Sequence, residues 1–156
     1  MVLKALDYGV LEKNILGVRY GLKGFYSRAH PPIVLDRAAV DGIQLEGGTV
    51  LGTSRDLPLI PEIVKRLDLW GVSQLFVIGG PGGHAAALVI QDECQRCGVV
   101  CSVVAVPKSI DNDILLVDRA FGFETAVEEA QRALLAAKTE VRSSSGKYVG
   151  TRGEGR

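Results

Sequence analysis

The sequence has little of what marks the specialised protein classes. It contains three cysteines, one tryptophan and one methionine in 156 residues, and aromatic residues make up 6%. Eighteen basic residues balance eighteen acidic ones, so no charged surface for nucleic acid or an anionic membrane is predicted. No apolar run approaches the roughly 18–20 residues of a membrane helix. The first residues lack both the apolar core of a signal peptide and the arginine and serine bias of a transit peptide.

The three cysteines, Cys94, Cys97 and Cys101, do not form a disulfide or metal-binding pattern. An odd number of cysteines argues against a secreted disulfide framework. Cys94 and Cys97 make a C-x-x-C pair, but a zinc site would need a second pair or nearby histidines. A reactive thiol favours the start of a helix, and this pair lies at a predicted helix end. We therefore interpret the cysteines as small, buried apolar residues.

What is present indicates a single α/β domain. Hydrophobic residues make up 47% of the chain, and nineteen glycines indicate several tight loops. Helical and strand patterns alternate: helices are predicted near 1–9, 36–43, 61–71, 84–97 and 121–139, and strands near 14–19, 74–78 and 99–106. Helices between apolar strands indicate parallel strands covered on both faces. We predict a three-layer αβα fold with a mostly parallel, Rossmann-like sheet over residues 1–141, and a disordered tail over 142–156.

Three loops follow predicted strands or lie where ligands bind such sheets, beyond the carboxyl ends of the strands. They are residues 47–55, 79–83 and 107–113, and we expect them to converge.

The loop Gly79-Gly-Pro-Gly-Gly83 lies between a strand and a helix. Glycines there let backbone N–H groups approach a phosphate, and the helix N-terminus adds partial positive charge. The loop is not a Walker A motif, because no Gly-Lys-Ser/Thr ends it. A dinucleotide site is disfavoured, because Pro107 and Lys108 rather than an acid follow the next strand. A plain tight turn into a helix fits the same residues.

The loop 107–113 carries two carboxylates, Asp111 and Asp113, just past a buried strand. Paired acids can divide the roles of general base and anchor for a metal or hydroxyl. Lys108 can balance their charge or hold a phosphate. The alternative is a solvated turn stabilised by these side chains. Arg55, which closes a Gly-Thr-Ser loop, can clamp a phosphoryl group or be an ordinary surface arginine.

Four motifs in this order resemble 6-phosphofructokinases of the group that includes the plant ATP-dependent enzymes, over about residues 1–141. They are Gly47-Gly-Thr-Val-Leu-Gly-Thr-Ser-Arg55, Val77-Ile-Gly-Gly-Pro-Gly-Gly83, Pro107-Lys-Ser-Ile-Asp-Asn-Asp113 and Phe121-Gly-Phe-Glu-Thr-Ala-Val-Glu-Glu-Ala130. The resemblance implies transfer of a phosphoryl group from ATP, with Mg²⁺, to the 1-hydroxyl of fructose 6-phosphate.

The resemblance also implies roles for individual residues. Asp111 is the base for the sugar hydroxyl, Asp113 assists at the metal and the transferred phosphate, and Arg55 contacts the nucleotide phosphates and the transition state. Pyrophosphate-dependent relatives usually carry an acid at the position of Gly82, so this glycine favours ATP. The implied ATP-binding residues are Arg55, Asp56, Gly80, Pro81, Gly82 and Gly83, and the implied substrate-binding residues are Lys108, Ser109, Ile110 and Asp111.

The sequence departs from the family pattern in three ways. Pro81 stands where the family has Asp or Asn and offers no side-chain oxygen to Mg²⁺, so no metal ligand is assigned with it. The family's opening strand and first glycine-rich loop are not found, and the match ends after Val141. We therefore expect a fragment of the nucleotide-side domain.

Two hypotheses follow from these departures. The chain is a phosphofructokinase-type phosphotransferase that is incompetent in isolation, or it is a non-catalytic truncated paralogue or binding module that associates with full-length subunits. In either case we expect a homo- or hetero-oligomer in the cytoplasm, with the plastid as the alternative.

Overall fold

The structure is a computed structural model that describes residues 1–55 and 57–143. Five α-helices lie in this part of the chain: α1 (Val2–Asp7), α2 (Arg37–Val40), α3 (Ile60–Leu69), α4 (Pro81–Cys97) and α5 (Phe123–Ser143). The strands are β1 (Leu16–Gly17), β2 (Ile33–Val34), β3 (Gln74–Gly79) and β4 (Ser102–Pro107). Short 3₁₀ helices cover Glu12–Asn14, Gly21–Phe25 and Ile43–Leu45.

Strands β3 and β4 pair in parallel, and α4 connects them. The N–H of Ser102 donates to the carbonyl of Ser73 at 2.9 Å, and the N–H of Lys108 donates to that of Gly79 at 3.0 Å. The partners are separated by the same length of chain in both bonds, which is the signature of parallel strands. This strand–helix–strand unit confirms the predicted α/β class.

Helix α4 begins earlier than the sequence pattern indicates and ends at Cys97, as predicted. It starts at Pro81 rather than near residue 84, because the fixed φ of proline suits the first helical position. Its end is a Schellman motif, in which Gly98 has φ +71° and the N–H of Val99 donates to the carbonyl of Cys94 at 2.9 Å. Residues 98–101 belong to this helix end and the turn after it, so β4 begins at Ser102 rather than Val99.

Strands β1 and β2 form a separate antiparallel pair, with Leu16 opposite Val34 and Gly17 opposite Ile33. The predicted strand over 14–19 is therefore only two residues long. A Cβ at Gly17 would lie 2.8 Å from a methyl carbon of Leu51 and 3.0 Å from the side chain of Leu35, so a larger residue here requires these side chains to shift.

The chain divides into two compact units. The first contains Met1–Val77 and Ala85–Val104, and the second contains Ile78–His84 and the described residues from Ala105 on. The core of the first unit comes from α3, α4 and the segments beside them: Phe25, Ile63, Val64, Leu67, Ile90, Cys94 and Cys101. Helix α3 shows why they pack, because its buried side chains lie three and four residues apart on one face.

The second unit is organised around the chain that leaves β4. The N–H of Phe121 donates to the carbonyl of Pro107 at 2.9 Å, and the N–H of Ser109 donates to that of Phe121 at 3.1 Å. Lys108 and Phe121 thereby form a parallel bridge that closes the loop between them. Helix α5 follows, and no residue along its described length is buried. The predicted tail from residue 144 on lies outside the described residues, whereas positions 142 and 143 are the last residues of α5.

Candidate functional site

The glycine-rich turn at the end of β3 is the first component of the site. Gly79 ends the strand, and a Cβ there would lie 3.5 Å from the Cα of Gly83. A Cβ at Gly82 would have no atom within 4 Å. The protein's own packing therefore does not require glycine at position 82. The N–H of His84 donates to the carbonyl of Gly80 and Pro81 has no N–H, so the N–H groups of Gly82 and Gly83 are the ones that a helix start offers to an anionic ligand here.

The turn is joined to the loop after β4 through the backbone. Besides the bond from Lys108 to Gly79, a Cβ at Gly80 would lie 3.7 Å from the carbonyl oxygen of Lys108. The structure thus brings loops 79–83 and 107–113 together within the second unit. The side chains of Lys108 and Ile110 are both exposed, so they are accessible to a ligand.

Ser109 links the carboxylate of Asp113 to the backbone of Asp111. Its hydroxyl donates to Oδ1 of Asp113 at 2.6 Å and accepts from the N–H of Asp111 at 3.2 Å. Ser109 is only 6% exposed, whereas Asp111 and Asp113 are exposed. The side chain of a buried serine therefore holds the carboxylate of Asp113 and the backbone of Asp111, and one oxygen of Asp113 stays outside this bond.

Two residues of the site escaped the motif-based predictions. Asn112 has φ +52°, and its side chain bonds to the backbone of residues 118 and 120. Nδ1 of His84 lies 3.0 Å from the carbonyl oxygen of Gly80, which makes that nitrogen a donor to the glycine turn. Their signals were present in the sequence. Asparagine tolerates the left-handed region, and a side chain in the first helical turn can reach back to the carbonyl four residues earlier.

The predicted phosphate clamp belongs to the first unit. In loop 47–55, the carbonyl of Leu51 accepts from the N–H of Tyr20 at 2.7 Å. A Cβ at Gly52 would lie 2.7 Å from the Tyr20 ring, so glycine is required there. Arg55 is exposed, and its role stays a prediction. The predicted ATP-binding residue Asp56 lies outside the described residues.

The cysteines behave only in part as predicted. Cys94 and Cys101 are buried in the core of the first unit, and burial raises the pKa of both thiols. Cys97 is exposed, so the interpretation of all three as buried residues is wrong for this one. Its thiol contacts Oε1 of Glu93 at 3.7 Å. The pKa of Glu93 is lowered, chiefly by the hydrogen bonds that it accepts from Arg96.

The residues present fit a magnesium ion that arrives with phosphate, but not a metal site made of protein alone. Among residues 1–55 and 57–143, no group of three or more His, Cys, Asp or Glu side chains is placed to hold a metal. The side chain of Pro81 offers no oxygen to a metal ion. Mg²⁺ commonly binds one or two carboxylates together with substrate phosphates. The exposed carboxylate of Asp113, with one oxygen outside its bond to Ser109, is a donor of this kind.

Comparison with known proteins decides the family. The family model described as phosphofructokinase matches residues 1–150, which is nearly the whole chain. The chain belongs to the phosphofructokinase family. Among its relatives, the chloroplastic ATP-dependent 6-phosphofructokinase 5 of Arabidopsis thaliana is 47% identical over 137 residues, which cover 88% of this chain and 25% of the relative. The ATP-dependent 6-phosphofructokinase of Trypanosoma brucei brucei is 43% identical, covering 85% of this chain and 28% of the relative.

A solved phosphofructokinase structure shares the fold. The pyrophosphate-dependent phosphofructokinase from Marinobacter aquaeolei superimposes with a TM-score of 0.66 and 21% identity, covering 83% of this chain and 34% of that one. The chain thus spans between a quarter and about a third of the phosphofructokinases to which it was compared. No helix in the described part of the chain is long and apolar enough to cross a membrane.

Proposed function

We propose that this chain supplies the nucleotide-binding turn and the phosphoryl-transfer loop of an ATP-dependent 6-phosphofructokinase. The observation that carries the proposal is the join between loops 79–83 and 107–113, which places the acids on a loop bonded to the glycine turn. The 47% identity to a relative named as an ATP-dependent 6-phosphofructokinase supports the same reaction class.

In this proposal the reaction joins the 1-hydroxyl oxygen of fructose 6-phosphate to the γ-phosphorus of ATP. The bond from that phosphorus to the oxygen of ADP breaks, and the hydroxyl proton passes to the carboxylate of Asp111. Phosphoryl transfer of this kind needs positioning and charge stabilisation more than covalent help from the protein. The backbone N–H of Asp111 donates to Ser109, and its carboxylate faces solvent, which suits the role of base.

The remaining side chains would hold charge. Lys108 and Arg55 would contact phosphate oxygens of the sugar and nucleotide, and Asp113 would hold the Mg²⁺ that enters with ATP. When bound, Mg²⁺ neutralises part of the negative charge on the transferred phosphoryl group. The Ser109 hydroxyl already donates to Asp113, so it would contribute mainly by fixing that carboxylate rather than by donating to the sugar phosphate.

ATP rather than pyrophosphate is the proposed donor because Gly82 leaves its surroundings open. An acidic side chain there would put bulk and negative charge against a nucleotide phosphate. The relatives described above at 43% identity or more are named as ATP-dependent. The pyrophosphate-dependent relative shares the fold at a lower identity.

A second candidate is a non-catalytic module that binds ATP and associates with full-length phosphofructokinase subunits. Pro81 favours it, because the first turn of α4 then lacks a side-chain oxygen for Mg²⁺. Loss of one charge-stabilising contact typically slows an enzyme by about 10²–10³-fold. We propose the cytoplasm as the site of action, with the plastid as the alternative supported by a chloroplastic relative.

A coupled assay for fructose 1,6-bisphosphate tests whether the isolated chain is itself catalytic. The purified chain is incubated with ATP, Mg²⁺ and fructose 6-phosphate, beside an Asp111→Ala variant as the matched control. We expect no turnover from the isolated chain together with measurable ATP binding, as both candidates require of a chain that is incompetent in isolation. Turnover that Asp111→Ala abolishes would establish the catalytic alternative. Absence of ATP binding would contradict both.

A further inference from the structure

We propose that Asn112 is a positioning residue that fixes Asp111 and Asp113 for their work on phosphate and its metal ion. This inference rests on the proposed function of the loop. The residue lies between the two acids and has φ +52°, in the left-handed region that most side chains avoid. A residue in that conformation reverses the local direction of the chain, so it decides how its two neighbours are presented.

The side chain of Asn112 spans the loop. Its Nδ2 donates to the carbonyl of Asp118 at 2.9 Å, and its Oδ1 accepts from the N–H of Ala120 at 2.7 Å. Ala120 is 5% exposed and precedes Phe121, the residue that pairs with the end of β4. The amide therefore ties the tip of the acidic loop to backbone that is itself anchored.

The acids are held from a second side by Ser109, which bonds to the N–H of Asp111 and to the carboxylate of Asp113. One hydroxyl can reach both groups only while the chain turns sharply at the residue between them. The left-handed conformation of Asn112 makes that turn, and its amide bonds keep the turn in place. The two acids thus depend on Asn112 although it does not touch them through its side chain.

Asparagine meets all three demands of this position. It tolerates positive φ, its amide nitrogen donates and its amide oxygen accepts. Glycine adopts the same backbone but makes neither side-chain bond, and alanine adds steric strain to the loss of both bonds. Aspartate accepts but cannot donate when ionised. Substitution at position 112 therefore separates the backbone conformation from the side-chain bridge.

The matched control lies in the same loop. Leu116 has φ +63° and is fully exposed, and its side chain contributes no hydrogen bond. Leu116→Gly changes a left-handed residue without touching the bridge. We expect it to leave the affinity for ATP unchanged.

The experiment measures the dissociation constant of ATP with and without Mg²⁺ by titration calorimetry on the 156-residue chain. The readout is the factor by which Mg²⁺ lowers the dissociation constant of ATP, because a loss of folded protein lowers both affinities alike. We expect Asn112→Gly and Asn112→Ala each to reduce this factor about tenfold, corresponding to the loss of two modest hydrogen bonds. Amide hydrogen exchange at Ala120 reports the bridge itself, and this amide should lose protection in both variants.

The outcomes are distinguishable. An unchanged factor in folded Asn112→Gly, with ATP still bound, overturns the inference and leaves the proposed function standing. Protection of the Ala120 amide in both variants also overturns it, because the bridge would then not exist. Failure of the unsubstituted chain to bind ATP contradicts the proposed function and, with it, the inference.

Discussion

The hydroxyl of Ser109 donates to Oδ1 of Asp113 at 2.6 Å while the hydroxyl itself is almost fully buried. The bond joins a hydroxyl donor to a carboxylate acceptor, which makes it one of the stronger kinds in proteins. It leads from the interior of the second unit to its surface. A carboxylate held in this way keeps its orientation without being buried, so it remains open to phosphate and Mg²⁺.

Ser109→Ala should lower the free energy of unfolding by about 1–3 kcal/mol, because it leaves the N–H of Asp111 without its side-chain acceptor and the Asp113 carboxylate without its donor. Ser109→Thr, which keeps the hydroxyl, is the control and should lose much less. Urea unfolding of both variants measures the difference. Equal stability of the alanine and threonine variants would show that the hydroxyl does not support the loop.

Thiol labelling tests the positions of the cysteines. With a thiol-reactive disulfide reagent we expect rapid reaction of Cys97 alone in the folded protein, and reaction of Cys94 and Cys101 only on unfolding. Rapid labelling of all of the thiols in native protein would contradict the packing of α4 against the start of β4.

The same buried thiols predict a pH dependence. Burial raises the pKa of Cys94 and Cys101, so the folded state holds these protons more tightly than the unfolded chain does. Their contribution to stability is present below the unfolded thiol pKa, about 8.5, and is lost as the pH rises through the raised value. Urea unfolding at pH 7 and at pH 10 should show a decrease. The decrease should shrink in a Cys101→Ala variant measured against its own value at pH 7.

Two apolar side chains of similar size should differ sharply in their effect on stability. Ile90 in α4 is 0% exposed, whereas Leu134 in α5 is 68% exposed. Ile90→Ala should cost about 2–5 kcal/mol, and Leu134→Ala should change stability by no more than about 0.5 kcal/mol. A large loss on truncation of Leu134 would mean that α5 is covered in solution.

The order of the elements could be predicted from the sequence because its signals are local. The apolar spacing of α3 and the proline in its first turn indicate a helix, and the short apolar run of β3 indicates a strand. The end of α4 at Cys97 was predicted, but the starts of α4 and β4 were harder. Proline at a first helical position decides the start of α4, and the Schellman motif after Cys97 delays the start of β4. The two-residue length of β1 was also not evident, since an apolar run does not reveal whether a partner strand extends beside it.

The site followed the same division. Asp111, Asp113 and the glycine turn were predictable, because their residue types and their places after strands carry chemical meaning. Asn112 and His84 carried a weaker signal: their residue types allow these bonds, but the bonds run to backbone groups whose positions depend on how the turn and the loop close. The exposure of Cys97 was missed for a similar reason. One side of a helix end faces solvent, and the residue type of Cys97 does not show on which side it lies.

Substitution of Pro81 tests whether a side-chain oxygen at this position strengthens the binding of ATP with Mg²⁺. Pro81→Asp adds a carboxylate to the first turn of α4, where the helix dipole stabilises negative charge. We expect the affinity for ATP to rise about tenfold in the presence of Mg²⁺ and not in its absence. Pro81→Ala is the control that removes the ring without adding an oxygen.

The coupled assay should still detect no fructose 1,6-bisphosphate from Pro81→Asp, because the added carboxylate changes the binding of Mg²⁺ and not the binding of the sugar. A rise in ATP affinity that is equal in the alanine variant would show that the ring, and not the missing oxygen, limits binding. Turnover by Pro81→Asp would show that this single position silenced an otherwise complete catalyst.

The affinity of Gly82 variants for ATP in the presence of Mg²⁺ tests the central claim, that a nucleotide occupies the open space above the glycine turn. Because a Cβ at position 82 meets no protein atom within 4 Å, Gly82→Ala and Gly82→Asp should fold at least as stably as the unsubstituted chain. We predict that the affinity for ATP nevertheless falls, by about tenfold or more for Gly82→Asp. An unchanged ATP affinity in folded Gly82→Asp would contradict the account.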